Sequence, residues 1–167
     1  MKEIYFAGGC FWGTEHYFKQ IRGVYSTVAG YANGNIEAPT YEEVYTDLTG
    51  FAECVKVVYD SDIISLDKLT ELYFCSIDPL SLNRQGNDIG TRYRTGIYYT
   101  DTTDHTAIER IYQEVESKMG AKLVVELEPL KNFFTAEEYH QDYLDKNPSG
   151  YCHLPKSLME FARKANE

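Results

Sequence analysis

The chain has no Cys-x-x-Cys pair, no apolar run of membrane-spanning length and no basic stretch. Each absence removes a class of function. Without about 18 consecutive apolar residues there is no transmembrane helix to propose. Lys and Arg number 16 against 26 Asp and Glu, a net charge of −10, so a nucleic-acid partner, which requires clustered cations, is not expected. The cysteines stand alone at positions 10, 54, 75 and 152, and the histidines at 16, 105, 140 and 153. Neither set has the spacing of metal ligands, so no metal site is predicted. No repeat or low-complexity linker divides the chain, and one domain over residues 1–167 is expected. Met1-Lys2-Glu3 leads straight into an apolar run without a signal peptide, which points to the cytoplasm. In that reducing compartment any disulfide would be transient and catalytic.

What the chain does have is aromatic surface: 14% of its residues, including 15 tyrosines. Tyrosine suits a site that needs an apolar wall with a hydrogen-bonding tip. The most informative segment is Ala7-Gly8-Gly9-Cys10-Phe11-Trp12-Gly13. A strand-like run, Ile4–Ala7, precedes it, and a helical run over 13–21 follows it. The thiol therefore lies at a strand-to-helix turn, where helix-start dipoles favour a thiolate. The paired glycines allow a tight turn and the close approach of a substrate. Phe11 and Trp12 belong either to the core or to the wall of a pocket beside the sulfur. Local physics leaves a second reading open, in which Cys10 is a buried small hydrophobe.

Further along, residues 52–59 and 93–99 read as strands. Ser65 is a candidate N-cap for a helix over 66–75. The clearest helix covers 103–119, with Ile108, Ile111, Tyr112, Val115 and Met119 at helical spacing and Gly120 as its stop. Residues 122–128 alternate as a half-buried strand does. Thr135 to Glu138 has the form of a capping box and predicts a short helix. Pro148, Gly150 and Pro155 mark an irregular tail before a last helix over 156–165. The long connections over 30–50 and 77–92 are rich in Gly, Asn, Asp and Pro, the composition of functional loops. The expected fold is α+β: a two-layer α/β sandwich with a ferredoxin-like core, long functional loops and an irregular C-terminal tail from about residue 146.

Gly9-Cys10-Phe11-Trp12-Gly13 resembles the signature of the type A peptide methionine sulfoxide reductases, which act on the S epimer. Other segments are similar to the family's in the same order: 30–34 with Pro39-Thr40-Tyr41, Gly50–Glu53, Gln85–Arg94, Tyr139–Leu144 and Lys146–Cys152. The resemblance implies that Cys10 attacks the sulfoxide sulfur as a thiolate. It implies that Glu53 supplies the proton, which requires burial to raise its carboxyl. Tyr41 and Tyr93 would hydrogen-bond the sulfoxide oxygen, with the Trp12 amide as a further donor, and Asp88 would help hold the site. Phe11 and Trp12 would receive the substrate methyl. The sulfenic acid left on Cys10 would condense with Cys152, and thioredoxin (or dithiothreitol in its place) would reduce the resulting disulfide. No other cofactor is implied, and a monomer is expected. The stretch 146–153 also resembles that of type A units fused to a type B reductase.

The pattern departs from the family at Phe51 and Ile77, where many relatives have histidine, and at Arg92, commonly glutamine. Phe51 would make the surroundings of Glu53 drier, and Arg92 would add positive charge at the site's mouth. Cys54 and Cys75 read as packing residues, His140 as a packing or hydrogen-bonding residue, and His153 either as a solvated tail residue or as a cation that favours the Cys152 thiolate. Three other functions compete. A cysteine peroxidase would need a cation beside Cys10, and none adjoins it in sequence. A cysteine hydrolase would need His16 or His140 as base. A module that only binds oxidised methionine would not need Cys152.

Overall fold

The computed structural model describes residues 1–167, and its elements follow the expected alternation. In chain order they are β1 (Lys2–Gly8), α1 (Phe11–Lys19), β2 (Val24–Ala32), α2 (Tyr41–Tyr45), β3 (Ala52–Tyr59) and α3 (Leu66–Cys75). Then come β4 (Arg84–Gln85), β5 (Asp88–Ile89), β6 (Thr95–Tyr99) and α4 (Thr102–Met119). The chain ends with β7 (Glu126–Pro129), β8 (Phe133–Thr135), α5 (Tyr143–Lys146) and α6 (Lys156–Lys164). Six strands form one sheet in the order β7-β6-β1-β3-β2-β8, and β4 with β5 makes a separate small hairpin. Strands β1, β2, β3 and β6, with α1 and α3 between them, give the ferredoxin-like βαββαβ core. Its strand pairs are all antiparallel, while β7 adds in parallel to β6 after α4. No helix is long and apolar enough to cross a membrane.

Alternation along the strands divides the sheet into unequal faces. Ile4, Phe6, Ala29, Tyr31, Val55, Val57 and Ile97 join the helices in the main core. Tyr5, Ala7, Ala52, Cys54 and Tyr98 form a small cluster on the other side. One hydroxyl ties β1 and its neighbour β6 to a helix. Tyr73 on α3 donates to the Ala7 carbonyl at 2.6 Å and accepts the Gly96 amide at 3.1 Å, all buried. Tyr73→Phe leaves both backbone groups unsatisfied, and urea unfolding is expected to show a loss of about 2 kcal/mol. A midpoint within experimental error of wild type would rule the bridge out as a stabilising contact.

Several local expectations changed. Helix α1 begins at Phe11, not Gly13, because its first amide is capped by the Glu53 carboxylate from β3 at 3.1 Å. Strand β2 went unread as a strand, since its last residues Gly30–Ala32 carry the glycine and alanine of a loop-like sequence. Thr135 to Glu138 is not a capping box. Thr135 lies in β8 opposite Gly30, and only a 3-10 turn over Glu138–His140 follows. The true capping box is Thr40 with Glu43, at the start of α2. Strand β7 starts at Glu126, where its partner β6 begins to face it; before that point Glu116 and Tyr112 take the backbone of Leu123 and Val125. Cys54 is buried as expected, but Cys75 is exposed at the end of α3, so the packing role read for it does not hold.

Candidate active site

The turn after β1 and the start of α1 place Cys10, Phe11 and Trp12 at one end of the sheet. Beside them a small cavity of about 60 Å³ opens. Two water molecules fill about that volume at liquid density, at about 30 Å³ each. It therefore suits a small group, such as a methyl beside a polar oxygen. Glu53 reaches it from β3, Tyr41 from α2, Asp88 from β5 and Tyr93 from the 3-10 turn after Gly90. These seven predicted site residues thus share one wall, although they are spread from position 10 to position 93. Tyr151 lines the cavity too and was missed by sequence reasoning; its hydroxyl donates to Asp88 Oδ2 at 2.9 Å. Its signal was only that it precedes Cys152.

Glu53 is 1% exposed, a condition a lone strand glutamate does not announce. Burial pushes its carboxyl up to about 8, against the pull of the Phe11 amide and of Arg92. Near neutral pH the carboxyl is therefore held mostly as the acid. The Phe11 amide occupies Oε1, leaving Oε2 to carry the proton. Cys10 is also buried, and this burial pushes its thiol well up, with a Glu53 charge adding to the effect. The amides of Trp12 and Gly13 pull the thiol down, as the helix start predicted, but burial outweighs them. The expected low thiol pKa is thus corrected. While Glu53 holds its proton, the charge contribution to that rise is removed. The Tyr41 hydroxyl is pushed up to about 12 and that of Tyr93 higher still, both chiefly by burial. Each remains a proton-bearing donor across the neutral range.

The walls are held from behind. The Trp12 indole donates to His140 Nδ1 at 2.9 Å and stacks on Tyr143 with ring centroids 3.7 Å apart. His140 is thus the hydrogen-bonding residue expected. Glu137 accepts both the Tyr31 hydroxyl, at 2.8 Å, and the Tyr41 amide, at 2.9 Å, and so ties α2 to β2. Arg92 does not add charge at the mouth. It is buried, bound to Asp47 and set over the rings of Tyr45 and Tyr93 at 4.1 and 4.3 Å. Phe51 packs on Gly34 and Phe134, away from the cavity wall.

Cys152 is the one predicted site residue outside the cavity. Its half-buried sulfur lies against Gly13, and it lines a groove of about 560 Å³ with His16, Leu144 and Met159. Burial pushes its thiol up, and the Leu154 amide pulls it down. His153 is not solvated. Its ring fills the space over Gly9 and Gly13, so these glycines admit the imidazole of the tail instead of a substrate. The tail is also not free: α6 beyond it buries Met159 and Ala162 in the main core.

The family model described as peptide methionine sulfoxide reductase matches residues 2–167. The chain belongs to the peptide methionine sulfoxide reductase family. Peptide methionine sulfoxide reductase MsrA of Clostridium acetobutylicum is 56% identical over 160 residues, 96% of this chain and 99% of that protein, which places the chain in type A. Crystalline Mxr1 from Saccharomyces cerevisiae in its reduced form has a TM-score of 0.86 at 42% identity, covering 90% of this chain and 88% of that one. The same yeast protein in complex with Trx2 gives a TM-score of 0.58 at 30% identity, over 85% and 84% of the two chains.

Proposed function

We propose that this reductase repairs the S epimer of methionine sulfoxide, free and in proteins, by a cycle carried by Cys10, Glu53 and Cys152. The observation that carries the reading is the shared cavity: one nucleophile, one neutral acid and two hydroxyl donors around a methyl-sized space. The sulfoxide oxygen accepts hydrogen bonds from Tyr41 and Tyr93, and its methyl lies against Phe11 and Trp12. Glu53 protonates that oxygen while the Cys10 sulfur attacks the sulfoxide sulfur. The hydroxyl then passes from the methionine sulfur to the Cys10 sulfur as the new sulfur–sulfur bond breaks, methionine leaves with the electron pair, and Cys10 is left as a sulfenic acid. Cys152 then displaces that oxygen as water and forms a disulfide with Cys10. The broad groove at Cys152 gives an external dithiol access to this sulfur, and the complex of the yeast relative with Trx2 favours thioredoxin as that reductant. Attack on Cys152 releases Cys10 as a thiolate ready for the next turnover. One chain supplies every group of this cycle, so a monomer suffices for it.

The test is turnover of the separate S and R epimers of a blocked methionine sulfoxide with thioredoxin and its reductase. The S epimer alone is expected to react, and Cys10→Ser to abolish the reaction. Turnover of the R epimer, or of neither by folded wild type, would overturn the reading.

A further inference from the structure

His153 is packed as a functional group is packed, between the two glycines that flank Cys10. Its Nε2 lies 2.9 Å from the Gly8 carbonyl oxygen. A carbonyl only accepts, so Nε2 carries the hydrogen and Nδ1 carries the lone pair. That Nδ1 is buried and has no hydrogen-bond partner. The Cys152 sulfur lies beside the same glycine as Nδ1. Measured from the point where a Cβ on Gly13 would stand, Nδ1 is 2.7 Å away and the Cys152 sulfur 3.2 Å away. At the other end of the ring, a Cβ on Gly9 would meet Nε2 at 3.1 Å. The imidazole therefore covers Gly9 and Gly13, and its unpartnered Nδ1 and the Cys152 sulfur meet at the same glycine without a hydrogen bond between them in the resting chain.

We infer that His153 Nδ1 is the general base that takes the proton from Cys152 when it attacks the Cys10 sulfenic acid. The inference rests on the cycle proposed above. In that step the Cys152 S–H bond breaks, its proton passes to Nδ1, and its electron pair forms the bond to the Cys10 sulfur. The S–O bond of the sulfenic acid breaks with its pair on oxygen, which gains a proton and leaves as water. The imidazolium then returns its proton to solvent, so no outside oxidant or reductant enters. Burial holds the ring neutral, with the Asp88 charge on β5 acting the other way, and the Gly8 carbonyl fixes the tautomer. The other titratable group placed beside the ring is the Cys152 thiol, which shares its contact with Gly13. Cys152 needs such a base, since its own burial disfavours the thiolate by more than the Leu154 amide favours it.

The test is a single turnover of the full chain without reductant, reading methionine released and loss of the Cys152 thiol over time. In His153→Gln, which keeps a donor for the Gly8 carbonyl, the ratio of disulfide rate to methionine-burst rate is expected to fall by about a hundredfold near pH 7. The deficit is expected to shrink about tenfold per pH unit as Cys152 ionises unaided. An unchanged ratio overturns the inference, as does a deficit that does not respond to pH, which would mark a structural role. Should His153→Gln fail to fold, His153→Ala with added imidazole is the second arm: recovery of the ratio supports the base, and none overturns it. A wild-type chain that releases methionine but forms no Cys10–Cys152 disulfide would instead overturn the resolving cycle itself.

Discussion

Glu53→Gln is expected to slow the methionine burst by at least about a hundredfold, the contribution of a positioned general acid. The wild-type burst should fall as pH rises through about 8, where the buried carboxyl loses its proton. The Gln variant should lack that limb. Its Cys10 should also alkylate with iodoacetamide at lower pH than wild type, because the charge that pushes the thiol up is gone. Loss of the acid and ease of the thiolate thus move in opposite directions, which a merely misfolded site would not reproduce. Stability carries the same signature. Below pH 4.5 the carboxyl is neutral folded and unfolded, and it costs nothing. Above that, the unfolded chain ionises while the folded chain keeps the proton until about pH 8, so folding weakens across this window. The slope is at most about 1.4 kcal/mol per pH unit. Urea unfolding of wild type should show this decline between pH 5 and 8, and Glu53→Gln should lose it. A pH-independent burst in wild type would remove Glu53 from the acid's role.

Cys152→Ser is expected to eliminate thioredoxin-driven turnover while leaving one methionine released per enzyme. Cys10 would then stop as a sulfenic acid, with no thiol of its own chain to displace the oxygen. Cys54 is sealed on the opposite face of β3 with its thiol pushed far up by burial, and Cys75 sits at the surface end of α3. Dithiothreitol is small enough to reach the cavity and should restore multiple turnovers, with a dimedone adduct on Cys10 as the trapped intermediate. Thioredoxin-driven turnover that survives in Cys152→Ser would move the resolving role to another thiol.

Strands β1, β3 and β6 and the long helices, though not β2, were legible because periodicity reports which side of an element is buried. Helix α4 carries its apolar stripe and its glycine stop in plain sequence, and Ser65 caps α3 from three residues away. What escaped was set by partners distant in the chain. The first amide of α1 is capped from β3, and a threonine three residues before a glutamate was spent on a sheet edge at Thr135 but on a cap at Thr40. The cavity residues were named through family resemblance, since nothing local says that Glu53 is buried or that Tyr93 lies under Arg92. Tyr151 was missed as a site residue and the burial of His153 was not foreseen, because both hold their places through contacts more than 60 positions away, to Asp88 and Gly8.

The segment carrying Cys152 is fastened at both ends, by Leu144 of α5 on one side and by Met159 and Ala162 of α6 on the other. Such a tether holds its thiol at a high effective concentration near Cys10, where a free end would dilute it over a far larger volume. A sulfenic sulfur faces two competing fates: capture by a neighbouring thiol, or further oxidation to an acid that thiols do not restore. Keeping the captor on a short leash favours the first. In the proposed cycle the anchoring of α6 would therefore protect the enzyme from the same oxidants that create its substrate.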